Sequence, residues 1–341
     1  MKNWIVQTWY KQQPISWVAH MLAPFSCLYR SIVHFRRKLL TRFFQKKINV
    51  PIIVVGNIVV GGVGKTPVVI AITQQLKQKG LRVGIVSRGY GAKNKKFPCE
   101  VTPQSSSTVV GDEPLLLANR TGCPVVIDPN RVRAAQYLLD QYACDVILSD
   151  DGLQHYAMDR ALELVVVDGD RWFGNGYCLP AGPLREPRQR LDEVDFVLCN
   201  GGQQKTDNSN NGLPKSYTIN FKAKGMVQLT TGQVIPCSKI NEYFSGTVAA
   251  VAGIGNPERF FISLRTLGLH YNIYPFTDHY PFTAQDFNFF ENWVVMTEKD
   301  AVKCVAFSQP HWYYLKIDAM LSDAFWQDFF AHPVLKRLTN S

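Results

Sequence analysis

Apolar positions along the chain change their period twice, and each change marks a different kind of element. From Phe25 the residues Phe25, Leu28, Tyr29, Ile32, Phe35, Leu39 and Phe43 recur at helical spacing, which predicts an amphipathic helix. After Val50 the period is lost to short continuous apolar runs: Pro51–Val55, Arg82–Val86, Val125–Ile127, Val146–Leu148, Leu164–Val167 and Phe196–Cys199. Runs of that length, rich in β-branched residues, suit strands buried on both faces. Helical patterns at Lys65–Lys79 and Arg131–Tyr142 lie between them. Buried strands alternating with helices predict a mostly parallel sheet flanked by helices. Residues 200–216, rich in Gly, Gln, Asn, Ser and Lys, have the composition of a linker or long loop. A second pattern begins near Tyr217, with strands at Val248–Val251, Trp293–Met296 and Trp312–Ile317 and a helix at Pro257–Leu267. The expected organisation is a surface-helix region over 1–48, a nucleotide-binding-type domain over 49–215 and a smaller α/β domain over 216–341. The last helix is free to pack back on the first of the two domains.

Charge sharpens the picture at the N-terminus. Residues 1–99 carry 17 Lys/Arg and no acid, whereas residues 100–341 carry 20 Lys/Arg against 27 Asp/Glu. Such a chain is basic in front and mildly acidic behind, which argues against a general nucleic-acid coat. Nine of the positive charges precede residue 50, with Trp4, Trp9, Tyr10 and Trp17 beside them. An apolar face, a basic face and aromatic neighbours describe a helix lying in the headgroup layer of an anionic membrane. The same periodicity also fits a core-packed helix with a solvated basic face; the absence of acids favours the membrane. The longest uncharged stretch, Gln12–Tyr29, contains two prolines and several polar residues, so it is a poor transmembrane span. Nor does the N-terminus carry the pattern of a signal peptide. Eight dispersed cysteines, none in a C-x-x-C pair, indicate reduced, mostly buried thiols rather than disulfides or zinc ligands.

The chemistry concentrates in Val59-Val60-Gly61-Gly62-Val63-Gly64-Lys65-Thr66, between the first strand and its helix. A glycine-rich turn lets backbone N–H groups converge on phosphate oxygens, and the helix N-terminus adds its partial positive charge. Lys65 is placed to reach the β- and γ-phosphates, and the Thr66 hydroxyl to ligate Mg²⁺. The strict P-loop pattern has glycine at the position of Val59, so this is a variant in which Gly61 and Gly62 supply the bend. Asp150 and Asp151, after Val146–Leu148, are candidates for the magnesium shell, although paired acids at a strand end also make an ordinary polar turn. A kinase acting on a hydroxyl needs a proton acceptor. Asp112 and His279 are the candidates, with a helix cap and a packed loop histidine as their alternatives. Thr297-Glu298-Lys299-Asp300 has its lysine one place away from a guanine-reading motif, and Thr297 fits a helix N-cap instead. Gly253-x-Gly255 lacks the third glycine of a dinucleotide fingerprint.

With these motifs in place, the chain resembles the tetraacyldisaccharide 4′-kinase family, the lipid A 4′-kinases of Gram-negative bacteria. The resemblance runs through Gly56-Asn57 leading to Gly61–Pro67, Ser87–Gly91, Gly111–Pro114, Asp150–His155, Leu179–Pro187, Ala252–Pro257, Asp278-His279 and Thr297–Lys303. It implies ATP- and Mg²⁺-dependent transfer of the γ-phosphoryl group to the 4′-hydroxyl of tetraacyldisaccharide 1-phosphate, an anionic glycolipid, at the cytoplasmic face of the inner membrane. Residues 1–48 then hold the enzyme at the surface where that substrate resides, and no nucleic-acid or obligate protein partner is expected. Carried onto this chain, Val59–Thr66 bind ATP, Asp112 is the base with His279 as partner, and Asp150 and Asp151 serve magnesium. Arg185 and Glu186 lie near the reacting groups. The family often has a second histidine after Asp-His, where this chain has Tyr280. Two rivals follow from the P-loop alone: another P-loop enzyme of the dethiobiotin-synthetase or metallochaperone-GTPase type, or a non-catalytic, membrane-docked ATP-binding protein. Neither a guanine-reading motif nor a Cys/His cluster is present to support the GTPase, and a soluble ligase leaves the first 48 residues unexplained.

Overall fold

A computed structural model describes residues 8–10, 16–201 and 215–339. The expected linker over 200–216 and the aromatic Trp4 fall largely outside them. Helix α1 (Trp17–Leu39) opens the main body. It is capped by Ser16, whose hydroxyl accepts from the Val18 N–H, and it runs into a π-helical turn at Leu40–Phe44. The helix begins earlier than Phe25 and contains Pro24. Only Ala19 and Ser26 of α1 are buried. Trp17, Met21, Phe25, Leu28, Ile32, Phe35, Leu39 and Phe43 stand exposed along one stripe. The core-packed alternative is therefore excluded for this face. No helix among the described residues is long and apolar enough to cross a membrane.

Strand β1 (Ile52–Gly56) is completely buried and leads through the glycine-rich loop into α2 (Lys65–Gln78). There follow β2 (Val83–Ser87), β3 (Cys99–Val101), α3 (Asp112–Thr121), β4 (Val125–Ile127), α4 (Arg131–Gln141), β5 (Val146–Asp150), β6 (Leu162–Asp168) and β7 (Phe196–Asn200). The later half contributes β8 (Ser216–Gln228), β9 (Val234–Ile235), β10 (Thr247–Ala252), α5 (Glu258–Thr266), β11 (His270–Pro275), β12 (Val294–Thr297), α6 (Glu298–Cys304), β13 (Trp312–Leu321), α7 (Asp323–Ala331) and α8 (Pro333–Thr339). Most of the anticipated strands agree to within a residue or two. Exceptions are β3, β9 and β11, which are short or mostly exposed edge strands, and β8, whose alternation of lysines with buried residues broke the apolar run.

Among the described residues thirteen strands form one sheet, in the order β11-β10-β12-β13-β8-β7-β6-β1-β5-β2-β4-β3, with β9 attached to β8. Two parallel arrays meet at β8. That strand runs parallel to β7 and antiparallel to β13, with a bulge near Lys316. The core around β1 and its neighbours includes Phe325, Phe329 and Leu335 from α7 and α8. The chain's end thus packs under the first array. Separate clusters cover the two faces of the second array. Parallel strands present their C-terminal ends to one edge, and in open α/β sheets that edge holds the ligand crevice.

Candidate active site

At the end of β1 the chain turns through Asn57, whose side-chain amide donates to the Val59 carbonyl at 2.9 Å and lies 3.4 Å from that of Gly61. Val59 bridges to Leu184, and the Val60 N–H donates to the Pro183 carbonyl at 2.8 Å. The side chain of Val59 is buried in the core. Gly64 closes the loop with φ +87°, in the left-handed region, and a Cβ there would lie 2.5 Å from the ring of Phe221. Only glycine suits that position. Asn200, at the end of β7, donates to the Val63 carbonyl at 3.1 Å. Lys65 and Thr66 then begin α2, so the loop's backbone amides and a helix N-terminus face the strand-end crevice.

Two carboxylates stand beside this loop. Asp151, at φ +49°, takes an ion pair from Lys65 at 3.3 Å and one from Arg185 at 3.3 Å. Burial raises its pKa, but those two cations outweigh it and hold the carboxyl below its ordinary value. Asp150 accepts from the Ser87 hydroxyl at 3.3 Å through one oxygen, and its buried Oδ1 has no hydrogen-bond partner. Burial, then the charges of Glu113 and Asp151, raise its pKa to about 7. Among the described residues no group of three His, Cys, Asp or Glu side chains forms a chelating cluster. One or two acids, a helix-start hydroxyl and otherwise phosphate oxygens and water are the donor set that Mg²⁺ adopts on nucleotides. Thr66 and an orphaned acid oxygen fit that requirement.

Arg185 and Glu186 separate in depth. Arg185 reaches Asp151 and anchors its own N–H to the Ile58 carbonyl at 2.7 Å. Glu186 is buried one layer behind, accepting from Gln154 at 2.7 Å and from the Tyr156 hydroxyl, with Arg190 at 3.6 Å. Gln154 also donates to the Asn57 carbonyl at 3.0 Å. Glu186 therefore braces the loop through Gln154.

The third carboxylate lies on a seam between the two arrays. Gly111, at φ +92°, precedes α3, and a Cβ there would sit 2.7 Å from the Tyr90 carbonyl. This tight turn buries Asp112 in the first helical turn. His279, itself at φ +59°, places Nδ1 3.1 and 3.0 Å from the two Asp112 oxygens, with the Tyr90 ring 4.9 Å from its own. Asp112 is buried, which raises its pKa, yet the hydrogen bond from His279 and the charges of Lys299, His279 and Lys303 hold it below the usual carboxylate value. Burial lowers the His279 pKa, and the bond to Asp112 reverses that, leaving it above its ordinary value. Lys299 pairs with Glu113 at 2.9 Å and Asp278 at 3.3 Å. A Cβ on Gly255 would lie 3.2 Å from Asp278 Oδ2 and 3.4 Å from the Gly62 nitrogen. Gly255 therefore stands between the Asp278-His279 turn and the phosphate loop at Gly62.

Sequence reasoning did not single out Asn200, and it gave no individual role to Asn57, Ser87, Gln154, Lys299 or Lys303, although these lie in the motifs that carry the family resemblance. The capping role of Thr297 is correct, as its hydroxyl accepts from the Asp300 N–H at 3.2 Å. The same helix also delivers two lysines to the seam, a function that capping does not reveal. Gly253-x-Gly255 is the loop that meets Gly62. The available signals were Asn57 directly after the first strand and two lysines four residues apart on one helix.

A family model described as "LpxK: Tetraacyldisaccharide-1-P 4'-kinase" matches residues 18–333. A tetraacyldisaccharide 4′-kinase from Legionella pneumophila (strain Corby) is 48% identical over 336 residues, covering 98% of this chain and 99% of that protein. One from Pseudomonas fluorescens (strain SBW25) is 45% identical over 332 residues, covering 95% and 94%. Among solved structures, the "apo" form of LpxK from Aquifex aeolicus in complex with ATP superposes with a TM-score of 0.78 at 27% identity, covering 94% of this chain and 99% of that one.

Proposed function

The chain belongs to the tetraacyldisaccharide-1-P 4′-kinase family, and we propose how its own residues divide the labour of that reaction. It is an ATP-dependent lipid A 4′-kinase, which moves the γ-phosphoryl group of ATP to the 4′-hydroxyl of tetraacyldisaccharide 1-phosphate. Loop residues 61–64 cradle the phosphates with backbone N–H groups, and Lys65 neutralises the β- and γ-oxygens; Val59 and Val60, expected to bind ATP as well, are instead held against Leu184 and Pro183. Thr66 and Asp150 would hold Mg²⁺, which would supply positive charge to the phosphates; Asp151 orients Lys65 and Arg185. Asp112 accepts the proton of the 4′-hydroxyl while His279 Nδ1–H fixes the carboxylate's direction. Phosphoryl transfer asks mainly for positioning and charge, and a seated base contributes roughly 10²–10⁴-fold.

The observation that carries this reading is the Asp112–His279 contact at 3.0 Å, assembled from two arrays of the sheet and joined to the phosphate loop through Gly255. An anionic acceptor is supported by the cations around His155. Burial, then the charges of Arg131, Arg160, Arg36 and Arg88, lower its pKa to about 4. Arg36 comes from α1, whose exposed apolar stripe suits the surface of an anionic bilayer. The enzyme then works at the cytoplasmic face of the inner membrane, with α1 lying on the lipid and the crevice beside it.

The test is transfer from labelled ATP to tetraacyldisaccharide 1-phosphate in detergent micelles, wild type beside Asp112→Ala. Mg²⁺-dependent transfer that collapses in the variant, with ATP still bound, supports the assignment. Undiminished transfer in the variant removes Asp112 from the base role.

A further inference from the structure

Helix α6 carries a charge relay that the reaction scheme above does not use. Asp300 is fully buried. One of its oxygens, Oδ2, accepts from the Gly253 N–H at 2.8 Å and from the Thr297 hydroxyl at 2.6 Å. The other, Oδ1, pairs with Lys303 at 2.6 Å. The Lys303 side chain is only 8% exposed, lies over the Phe282 ring at 4.8 Å, and brings Nζ to 4.0 Å from Asp112 Oδ2. Gly253 belongs to the same loop as Gly255, which touches the phosphate loop at Gly62. One continuous set of contacts thus runs from the phosphate loop through Asp300 and Lys303 to Asp112.

A buried ammonium is costly unless it is compensated. Among the described residues, Asp300 compensates Lys303 at short range, and the second carboxylate within reach is Asp112. Lys299 is already committed to Glu113 and Asp278, and its Nζ stands 3.5 Å from His279 Nε2. The charged and titratable groups facing Asp112 are therefore His279 from its loop and Lys299 and Lys303 from α6. Glu113 and Asp278 stand behind Lys299, and Asp300 behind Lys303.

We propose that Lys303, held by Asp300, is a positioning residue for phosphoryl transfer: it keeps Asp112 ionised and aimed, and links its state to the loop that meets the phosphates. This rests on Asp112 being the base. Its signature is that the two partners act in opposite senses. Removing the Lys303 charge lets Asp112 protonate at higher pH. Removing the Asp300 charge leaves Lys303 uncompensated and drives Asp112 to protonate at lower pH.

The experiment measures kcat/KM against pH in detergent micelles for wild type, Lys303→Met, Lys303→Arg, Asp300→Asn and Asp112→Asn, with circular dichroism to establish folding. Lys303→Met is expected to move the acidic limb up by about one pH unit, a tenfold loss at pH values on that limb. Lys303→Arg is expected to restore most of it, and Asp300→Asn, which keeps a carbonyl for the Gly253 N–H, to move the limb the other way. A uniform loss at every pH with the limb unmoved in both Lys303→Met and Asp300→Asn would assign Lys303 to packing alone and overturn the proposal. If Lys303→Met does not fold, Asp300→Asn decides it: a limb moved to lower pH supports the inference, and a limb at the wild-type position overturns it. Wild-type transfer by Asp112→Asn would instead refute the base assignment, an outcome separable from the others.

Discussion

Asp150 and Asp112 are both buried aspartates at the edge of the same sheet, and their pKa values move in opposite directions. Asp150 is built wholly within the first array, at the end of β5, where its nearest charges include other acids. Asp112 depends on the second array, which brings it His279, Lys299 and Lys303. Burial acts on both alike and disfavours the anion. What differs is who supplies the compensating charge. At the P-loop end, the charges of Lys65 and Arg131 do not offset burial and the neighbouring acids, and Asp150 Oδ1 is left without a partner. At the seam, the protein provides it from its own second half. Two carboxylates of similar depth are thus distinguished by their neighbours, and the roles proposed for them above, metal ligand and base, follow that difference.

The comparison breaks most sharply at Asp112 itself. Asp112→Asn keeps the shape and a hydrogen-bonding oxygen but removes the acceptor of the proton, and transfer is expected to fall by about 10²–10⁴-fold. Equilibrium ATP binding, measured by calorimetry on the same variant, is expected to stay within about threefold of wild type. A parallel loss of ATP binding would place Asp112 in the nucleotide site instead.

The seam can also be opened without touching either aspartate. Arg120 of α3 is nearly buried and pairs with Glu298 of α6 at 2.5 Å and with Asp318 of β13. Arg120→Met leaves two acids facing each other without their cation, and breaking a buried pair in this way costs about 3–5 kcal/mol. Urea unfolding followed by tryptophan fluorescence checks it. A midpoint unchanged from wild type would mean that the arrays do not depend on this triad.

A third region offers a contrast of another kind, because the α1 stripe is apolar and exposed where the seam is charged and buried. Phe25→Glu and Phe35→Glu remove side chains that are 60% and 68% exposed. Flotation with vesicles containing anionic lipid is expected to show roughly tenfold weaker binding for each, since burying one large side chain yields about 1.5–3 kcal/mol. Thermal stability is expected to stay within a degree or two. Unaltered flotation would detach this face from any lipid role.

The smallest expected effect is a pH window. Asp112 has a lowered pKa, so its contribution to stability is present above the unfolded value near 3.9 and fades as pH falls below it. His279 has a raised pKa, so its contribution is complete below about 6.5 and is lost as pH rises through the folded value. The ionised pair therefore stabilises most between about pH 4 and pH 6.5. His279→Gln is expected to lower Tm by about 2–4 °C at pH 5.5, the shift that about 1 kcal/mol produces in a large domain, and by less at pH 8.5. An equal difference at both pH values would show that the contact stabilises without charge.

Much of the first array was legible because its signals are local. Buried parallel strands are continuous apolar runs, and Gly61–Thr66 must follow a strand and open a helix to bind phosphate at all. Strand β8 was not legible: it is buried on some residues and carries Lys222 and Lys224 on others, and its role as the joint of two parallel arrays is a matter of pairing, not composition. The Thr297–Lys303 motif was half legible. Thr297 declares a helix start through its own backbone bond, whereas the destination of Lys299 and Lys303 depends on where α6 lands against α3.

The sequence by itself determined the phosphate loop, the strand-end acids, the basic amphipathic helix and, through motifs spread over most of the chain, the family. Tertiary structure alone decided that Lys299 and Lys303 join the pair of Asp112 and His279, a pair the family resemblance implied across 167 positions of chain, that Gly255 lies near Gly62, and that the α1 stripe stays uncovered. The physical reason is range. Propensity, capping and glycine geometry act within a few residues and leave a pattern there, while charge compensation and burial are settled by whatever the fold brings within a few ångströms.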